Sequence, residues 1–135
     1  MIIALEGGIC SGKTTLAKEF ERQGFYLVPE YMDIIQPCEE NRINDLVSSN
    51  QSAINVFLEI EKRRKEIYLE NCSDKNAILD RSYLTLFAYE YAIGRNISNM
   101  EFPDLYQNVI TPNLIVFLDV NDEQRIKRSH DRCDE

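Results

Sequence analysis

Positive charge is scarce in this chain of 135 residues, which has 15 lysine and arginine side chains against 23 aspartate and glutamate side chains. The formal net charge at neutral pH is therefore −8. Proteins that bind nucleic acid usually carry a basic face, so this balance disfavours DNA or RNA as a partner. Anionic phosphates are not excluded, because backbone N–H groups and a few well-placed cations are enough to bind them.

Long apolar runs and paired cysteines are also lacking. No apolar run is long enough to span a bilayer, and the N-terminus does not have the pattern of a secretory signal. The cysteines at positions 10, 38, 72 and 133 form no Cys-x-x-Cys pair, so the sequence predicts neither a zinc site nor a disulfide framework. We therefore expect no membrane association and a reducing, cytoplasmic setting.

Short apolar runs alternate with amphipathic segments along the chain. Strands are predicted at residues 2–6, 25–28, 77–79 and 113–120. Helices are predicted at residues 13–22, 83–93 and 102–110, and from about residue 123. A helical region is predicted at residues 39–72, and it is clearest from about residue 51. This alternation predicts an α/β fold, a three-layer α/β/α arrangement with a parallel sheet between helices. Because no linker or repeat interrupts the pattern, residues 1–135 are expected to form a single domain.

A phosphate-binding motif lies between the first strand and the first helix. Residues 7–14 read Gly-Gly-Ile-Cys-Ser-Gly-Lys-Thr and fit G-x-x-x-x-G-K-[ST] at every fixed position. A chance match in a chain of this length is roughly 1 in 200. The required context, an apolar strand before the motif and an amphipathic helix after it, is present. The motif therefore predicts binding of a nucleoside triphosphate.

The spacing of the motif follows from the chemistry of a polyphosphate. Glycines let the backbone curl until consecutive N–H groups point at the β-phosphate. The Lys13 ammonium would reach the β- and γ-phosphates, and the Thr14 hydroxyl is a hard oxygen ligand suited to Mg²⁺. We expect ATP and Mg²⁺ as cofactors and an exposed Lys13 side chain. The residues expected to contact the nucleotide are Gly7, Gly8, Ile9, Cys10, Ser11, Gly12, Lys13, Thr14 and Thr15.

The loop alone does not identify the reaction, because GTPases, transport ATPases and small-molecule kinases all use it. The Asn-Lys-x-Asp type base reader of GTPases and the Leu-Ser-Gly-Gly signature of transporter ATPases do not occur in the sequence. Four further stretches are informative because each follows or contains a predicted element. They are Val28-Pro29-Glu30, Asp80-Arg81-Ser82, the run from Pro112 to Val120, and Arg125-Ile126-Lys127-Arg128 with Arg132.

Together with Leu5-Glu6-Gly7-Gly8 through Thr15, these stretches resemble the thymidylate kinase and deoxynucleoside kinase families of the P-loop nucleoside and nucleotide kinase superfamily. The resemblance covers nearly the whole chain in the family's order. It implies a P-loop nucleoside triphosphate hydrolase fold with strand order 2-3-1-4(-5). It also implies that an arginine-bearing lid begins near residue 125 and that the family's C-terminal strand and helix are absent.

The resemblance also implies roles for individual residues. Glu30 would accept the proton of the attacking hydroxyl, whereas Asp80 would hold Mg²⁺ through a water or take that proton itself. Arg81 would neutralise charge on the transferring phosphoryl group together with Lys13. The bland alternatives are a solvated loop glutamate and an Asp–Arg pair that stabilises a turn.

Three arginines of the last predicted helix share one face, because Arg125, Arg128 and Arg132 are spaced by three and four residues. In the kinase interpretation they belong to the lid that closes over the phosphates, with Arg128 and Arg132 as catalytic candidates. The alternative is a charged surface helix on which they pair with Asp122, Asp131 and Glu135.

Other polar and aromatic residues are given structural positions. Arg63 and Arg64 are expected on a solvated helix surface, and the alternative, which the resemblance to thymidylate kinases implies, is that one of them meets a substrate phosphate. Ser82 is expected to be a helix N-cap. Four aromatic residues are spaced for core packing, with nucleobase stacking as the alternative. They are Phe57, Tyr83, Phe87 and Tyr91.

The predicted function is ATP-dependent phosphoryl transfer to a nucleoside or nucleoside monophosphate. Glu30 after Val28-Pro29 favours a nucleoside hydroxyl as acceptor, whereas Asp80-Arg81 followed by Leu84 and Ala88 favours a monophosphate. A kinase of another small molecule, a P-loop ATPase and a nucleotide-binding regulatory module without a nucleoside acceptor remain as alternatives. Related kinases are often dimers, so a homodimer is retained as an expectation.

Overall fold

The computed structural model describes residues 1–72, 74–98 and 100–133, and for Cys133 only the backbone. Asp134 and Glu135, and with them one predicted partner of the lid arginines, lie outside the described residues. The strands are β1 (Ile2–Gly7), β2 (Tyr26–Val28), β3 (Ala77–Asp80) and β4 (Leu114–Leu118). The helices are α1 (Lys13–Arg22), α2 (Tyr31–Ile34), α3 (Pro37–Ser48), α4 (Ile54–Cys72), α5 (Leu84–Ala92), α6 (Leu105–Asn108) and α7 (Asp122–Cys133).

The four strands form one parallel sheet in the order β2-β3-β1-β4, which confirms the predicted α/β class and strand order. Leu5 of β1 lies opposite Asp80 of β3, and Gly7 lies opposite Leu118 of β4. The carboxyl ends of the strands therefore meet at one edge of the sheet, where open α/β sheets bind their ligands.

The core lies on both faces of the two central strands. On one face Leu5 and Ile78 pack with Ala17 of α1, and on the other Ala4 and Leu79 pack with Cys72 of α4 and Ile110. A third apolar cluster joins the helices that follow the strand ends, with Tyr31, Ile54, Ile60 and Leu86 at its centre. In the described part of the chain, no helix combines the length and hydropathy needed to cross a membrane.

The helical region predicted over residues 39–72 corresponds to two helices. The structure divides it into α3 and α4, and Asn50 between them has a left-handed backbone with φ of 54°. The intervening residues are rich in Ser and Asn, whose side chains compete for backbone groups, and Ser52 Oγ accepts a hydrogen bond from the Ile54 amide. The helix predicted over residues 102–110 is likewise reduced to α6.

Arg64 is fully buried, so its predicted position on a solvated helix surface was wrong. It pairs with the buried Glu61 at 2.8 Å and lies over the Tyr31 ring, 4.3 Å from its centroid. Its Nε donates to the Pro29 carbonyl at 2.7 Å and its Nη2 to the Arg81 carbonyl at 3.3 Å. One guanidinium group therefore ties the ends of β2 and β3 together. Arg63 is also not free in solvent, because it forms an ion pair with Glu39.

We predict that Glu61→Gln destabilises the fold by about 3 kcal/mol or more, because it leaves the buried Arg64 charge without a counter-ion. Urea denaturation of both proteins measures the difference. The matched control is Glu59→Gln, which lies on α4 as Glu61 does. It breaks the exposed pair with Arg42 of α3 and should cost about 0–1 kcal/mol. Equal losses in the two variants would contradict this assignment.

Candidate active site

The loop between β1 and α1 is built on three residues with a left-handed backbone: Gly7 (φ 141°), Cys10 (φ 60°) and Gly12 (φ 96°). At Gly7 a side chain is also excluded by space, because a Cβ would lie 2.6 Å from the Leu118 carbonyl oxygen. A Cβ at Gly8 would overlap the guanidinium group of Arg125. Glycine is therefore needed at position 7 for backbone conformation and for close packing, whereas a side chain at position 8 would displace only the end of the flexible Arg125 side chain.

Helix α1 begins at Lys13 without a side-chain cap and without an acidic residue in its first turn. The first N–H groups of a helix have no partners within the helix and carry partial positive charge. Among the described residues, no side chain caps them. The end of α1 is therefore suited to an anion such as a phosphate group.

The Lys13 side chain is only 6% exposed, so the expectation of an exposed ammonium group was wrong. Its Nζ donates to the Gly8 carbonyl at 2.6 Å, to the Gly7 carbonyl at 3.1 Å and to Ser11 Oγ at 3.2 Å. The curl of the loop turns these oxygens inward, and the lysine satisfies them. Burial lowers the Lys13 pKa, and the nearby Arg81 charge lowers it further.

Thr14 and Asp80 meet at the carboxyl end of the central strands. The Thr14 hydroxyl donates to Asp80 Oδ2 at 2.6 Å, and Asp80 is 3% exposed. The second carboxylate oxygen of Asp80 has no hydrogen-bond partner among the described residues. A hydroxyl beside a buried carboxylate with a free oxygen is a pair of hard ligands that fits Mg²⁺.

Glu30 follows β2 and caps the short helix α2 through a reciprocal bond with Asp33. The Glu30 amide donates to Asp33 Oδ2 at 3.0 Å, and the Glu30 carboxylate accepts from the Asp33 amide. Burial raises the Glu30 pKa above its usual value, and the negative charges of Asp80 and Asp33 raise it further. A cleft of about 550 Å³ is lined by Glu30, Asp80 and Thr14, so the structure brings these predicted site residues together.

Arg81 follows β3 in a left-handed conformation with φ of 74°, which is uncommon for a residue with a long side chain. Its amide donates to the Leu5 carbonyl at 3.0 Å, and its carbonyl accepts from Arg64. These two bonds hold the strained backbone from both sides. The Arg81 side chain lines the cleft beside the loop.

A cleft of about 650 Å³ opens beside the loop at Gly8 and Ile9. Most of its walls are apolar, and its polar groups come from a few residues. The charged residues are Glu30, Arg81, Glu90 and Arg95, the hydroxyl groups come from Tyr31, Thr85 and Tyr89, and the apolar residues include Ile43, Val47, Phe57 and Leu86. An apolar cleft with a few convergent polar groups is typical of a small-molecule site.

The four aromatic candidates separate in the structure. Phe57 lines the cleft, and its ring also packs edge-to-face against Tyr31. Tyr83 and Phe87 pack against each other, as the core-packing prediction requires. Tyr91 is 85% exposed, so core packing was wrong for this residue.

Helix α7 places its arginines at the loop. Arg128 Nη1 donates to the Cys10 carbonyl at 3.2 Å, and Arg132 lines a groove of about 750 Å³ with Gly12 and Thr15. Arg125 lies against Gly8 and pairs with Asp122, which is the surface pairing given as the alternative.

Glu6 is a site residue that received no role from the sequence. Its carboxylate accepts hydrogen bonds from the Ser82 amide at 2.8 Å, from Ser82 Oγ at 2.6 Å and from the Thr85 hydroxyl. It therefore joins the end of β1 to the start of α5. Ser82 is not the assigned N-cap, which is Tyr83, although Ser82 Oγ accepts weakly from the Leu84 amide at 3.3 Å. The feature of the sequence that could have indicated this role is a carboxylate within an otherwise apolar strand.

Comparison with protein families matches residues 2–135 to the family described as an AAA domain. Because the match covers nearly the whole sequence, the chain belongs to this family. Among curated proteins, no match was found.

Solved structures with the same fold include two kinds of kinase. Deoxyadenosine kinase from M. mycoides, solved with dCMP and dCDP bound, is 20% identical with a TM-score of 0.67 over 98% of this chain and 71% of that chain. Thymidylate kinase from Ehrlichia chaffeensis is 26% identical with a TM-score of 0.61 over 97% and 77%. Thymidylate kinase from Candida albicans is 19% identical with a TM-score of 0.63 over 93% and 65%. The fold of this chain is therefore a P-loop kinase fold.

We predict that the Glu30 carboxyl titrates above the ordinary value of 4.5, as followed by the NMR chemical shift of its side-chain carbon. Folding favours the neutral form of a group whose pKa is raised. Its contribution to stability is therefore complete below the ordinary pKa and is lost as the pH rises through the folded pKa. Asp80→Asn should lower the Glu30 midpoint without restoring it fully, because burial is the largest cause. A wild-type midpoint at or below 4.5 would contradict the prediction.

Proposed function

We propose that this chain is a kinase that transfers the γ-phosphoryl group of ATP to a nucleoside or nucleoside monophosphate. The observation that carries the proposal is the position of the cleft beside the phosphate-binding loop, with Glu30 and Arg81 in its wall. Direct transfer between two bound molecules requires a donor site and an acceptor site that adjoin each other. The likeness to deoxyadenosine and thymidylate kinases supports this choice.

On the donor side, the residues proposed to hold ATP are those of the loop and the start of α1, from Gly7 to Thr15. Their amides face the phosphates, and Lys13 exchanges its bonds to the Gly7 and Gly8 carbonyls for bonds to phosphate oxygens. Thr14 and Asp80 are proposed to hold Mg²⁺. When bound, the ion neutralises phosphate charge, and it usually keeps several waters beside one or two protein ligands.

On the acceptor side, the geometry favours Glu30 over Asp80 as the base. Glu30 lines the cleft, and its raised pKa makes it a better proton acceptor than an ordinary carboxylate. Asp80 is buried against Thr14 and does not line the acceptor cleft. We therefore propose that Glu30 accepts the proton of the phosphoryl acceptor and that Asp80 binds the metal.

We propose that the arginines around the loop neutralise the negative charge that develops on the phosphoryl group during transfer. Arg81 enters from the acceptor cleft, whereas Arg128 and Arg132 approach from α7 on the other side of the loop. Cations fixed on both sides stabilise the in-line arrangement and exclude water, which would otherwise compete as the acceptor.

The proposed function predicts that nucleosides or their monophosphates stimulate ADP production from Mg·ATP. A panel of nucleosides, nucleotides and amino sugars, with product analysis, measures this directly. Lys13→Met keeps the buried stem but removes the ammonium group, and it should lower turnover by about 10²-fold or more. The control, Lys75→Met at an exposed position, should retain activity. Slow ATP hydrolysis that no nucleoside or nucleotide increases would identify an ATPase or a regulatory module instead.

The two carboxylates are separated by the dependence of activity on Mg²⁺. Glu30→Gln should lower kcat by roughly 10²-fold or more at every Mg²⁺ concentration, because the proton acceptor is lost. Asp80→Asn should raise the Mg²⁺ requirement and recover part of its activity at high Mg²⁺. Glu66→Gln, at an exposed position of α4, is the control. Retained activity in Glu30→Gln with complete loss in Asp80→Asn would assign the base to Asp80.

A further inference from the structure

Near the end of β1, a carboxylate is bonded to the segment that follows β3, and the proposed transfer reaction gives this carboxylate no role. Glu6 directly precedes the phosphate-binding loop and is half-buried. Its Oε1 accepts hydrogen bonds from the Ser82 amide at 2.8 Å and from Ser82 Oγ at 2.6 Å, and its Oε2 accepts from the Thr85 hydroxyl. Both carboxylate oxygens are therefore engaged by one short segment that runs from the end of β3 into α5.

The amide that Glu6 binds lies directly after a strained residue. Arg81 has φ of 74°, and such a conformation of a long side chain persists only where the surrounding structure fixes it. The Arg81 amide donates to the Leu5 carbonyl at 3.0 Å, and the next amide, that of Ser82, donates to Glu6. Because Ser82 is fully buried, water is not available to its amide as an alternative partner. Two consecutive amides at the strained position are thus bound to two consecutive residues of β1.

The same stretch of chain also holds the second cation of the site. Lys13 Nζ donates to the carbonyls of Gly7 and Gly8, and the two residues before these glycines hold the backbone at Arg81. Residues 5–8 therefore set the ammonium group and the guanidinium group relative to each other. Two cations that act on one phosphoryl group need a fixed arrangement, because a misplacement of about 1 Å can cost about 10²-fold in rate.

The bonds of Glu6 argue against a direct part in proton transfer. Both of its carboxylate oxygens already accept hydrogen bonds. The residues that line the acceptor cleft include Glu30 and Arg81 but not Glu6. Glu6 therefore acts on the reaction only through the residues that it binds, and the strained backbone at Arg81 is the one of these that carries a catalytic side chain.

We propose that Glu6 is a positioning residue that holds the Arg81 guanidinium group where it meets the transferring phosphoryl group. This inference rests on the proposed function, in which Arg81 neutralises charge on that group. The length of the Glu6 side chain matters more than its charge. A glutamine keeps an oxygen for both Ser82 donors, and its N–H donates to the Thr85 hydroxyl, which accepts as well as donates. An aspartate keeps the charge but is shorter by one methylene, so it draws the strained segment out of place.

The test compares Glu6→Asp with Glu6→Gln in the full chain, with Mg·ATP and the acceptor that the panel identifies. We expect Glu6→Asp to lower kcat by about tenfold or more, because the guanidinium group is displaced, and Glu6→Gln to lower it by less than about threefold. The Kd for Mg·ATP, measured by calorimetry without acceptor, should change by less than about twofold in both variants, because Lys13 and the loop are intact. Glu70→Asp, at an exposed position of α4, is the control and should change neither quantity.

Three kinetic results would overturn the proposal: a wild-type kcat in Glu6→Asp, a larger loss of kcat in Glu6→Gln than in Glu6→Asp, or a loss of Mg·ATP affinity as large as the loss of kcat. If Glu6→Asp does not fold, a loss of about tenfold or more in Glu6→Gln overturns it.

A crystal structure of Glu6→Asp supplies a readout that does not depend on activity. We expect the Arg81 guanidinium group to be displaced from its wild-type position, and an unchanged Arg81 would overturn the proposal. Failure of every nucleoside and monophosphate to act as an acceptor would instead refute the proposed function. The structure of the variant would still decide whether Glu6 holds Arg81, so the two failures are distinguishable.

Discussion

The Lys13 ammonium group and the curled loop around it are the interaction on which the rest of the site depends. The loop can pass from β1 to α1 within a few residues only because Gly7 and Gly12 adopt left-handed backbone conformations. The curl turns the carbonyl oxygens of Gly7 and Gly8 inward, where Lys13 binds them. A cation is thus held at the edge of the sheet, at the loop that leads into the uncapped N-terminus of α1.

The second constraint is the alignment of the strand ends, because it sets the positions of both carboxylates of the site, Glu30 and Asp80. Parallel pairing sets Asp80 next to the end of β1, where Thr14 reaches it. Arg64 then fixes the ends of β2 and β3 through the carbonyls of Pro29 and Arg81. Glu30 directly follows Pro29, and Arg81 itself carries the second carbonyl. One buried guanidinium group therefore fixes the positions of both residues. The donor loop and the acceptor cleft are in this way parts of one framework.

The sequence predicted those features that local physics determines. The loop, the alternation of strands and helices and the ends of β1, β2 and β3 follow from glycine placement and apolar runs, and the strand order followed from family resemblance. The burial of Arg64 and the bonds of Glu6 were missed, because both depend on which distant segments meet in the fold. The predicted exposure of Lys13 was wrong, because the prediction considered the reach of the side chain and not the carbonyl oxygens that bind its ammonium group.

The measurement that tests the central claim most directly is a crystal structure of the protein with Mg²⁺ and a non-hydrolysable ATP analogue. We expect the phosphates to occupy the loop, Lys13 Nζ to leave the Gly8 carbonyl for phosphate oxygens, and Thr14 to bind the metal. A structure in which the analogue lies elsewhere, with Lys13 still bound to Gly7 and Gly8, would contradict this expectation.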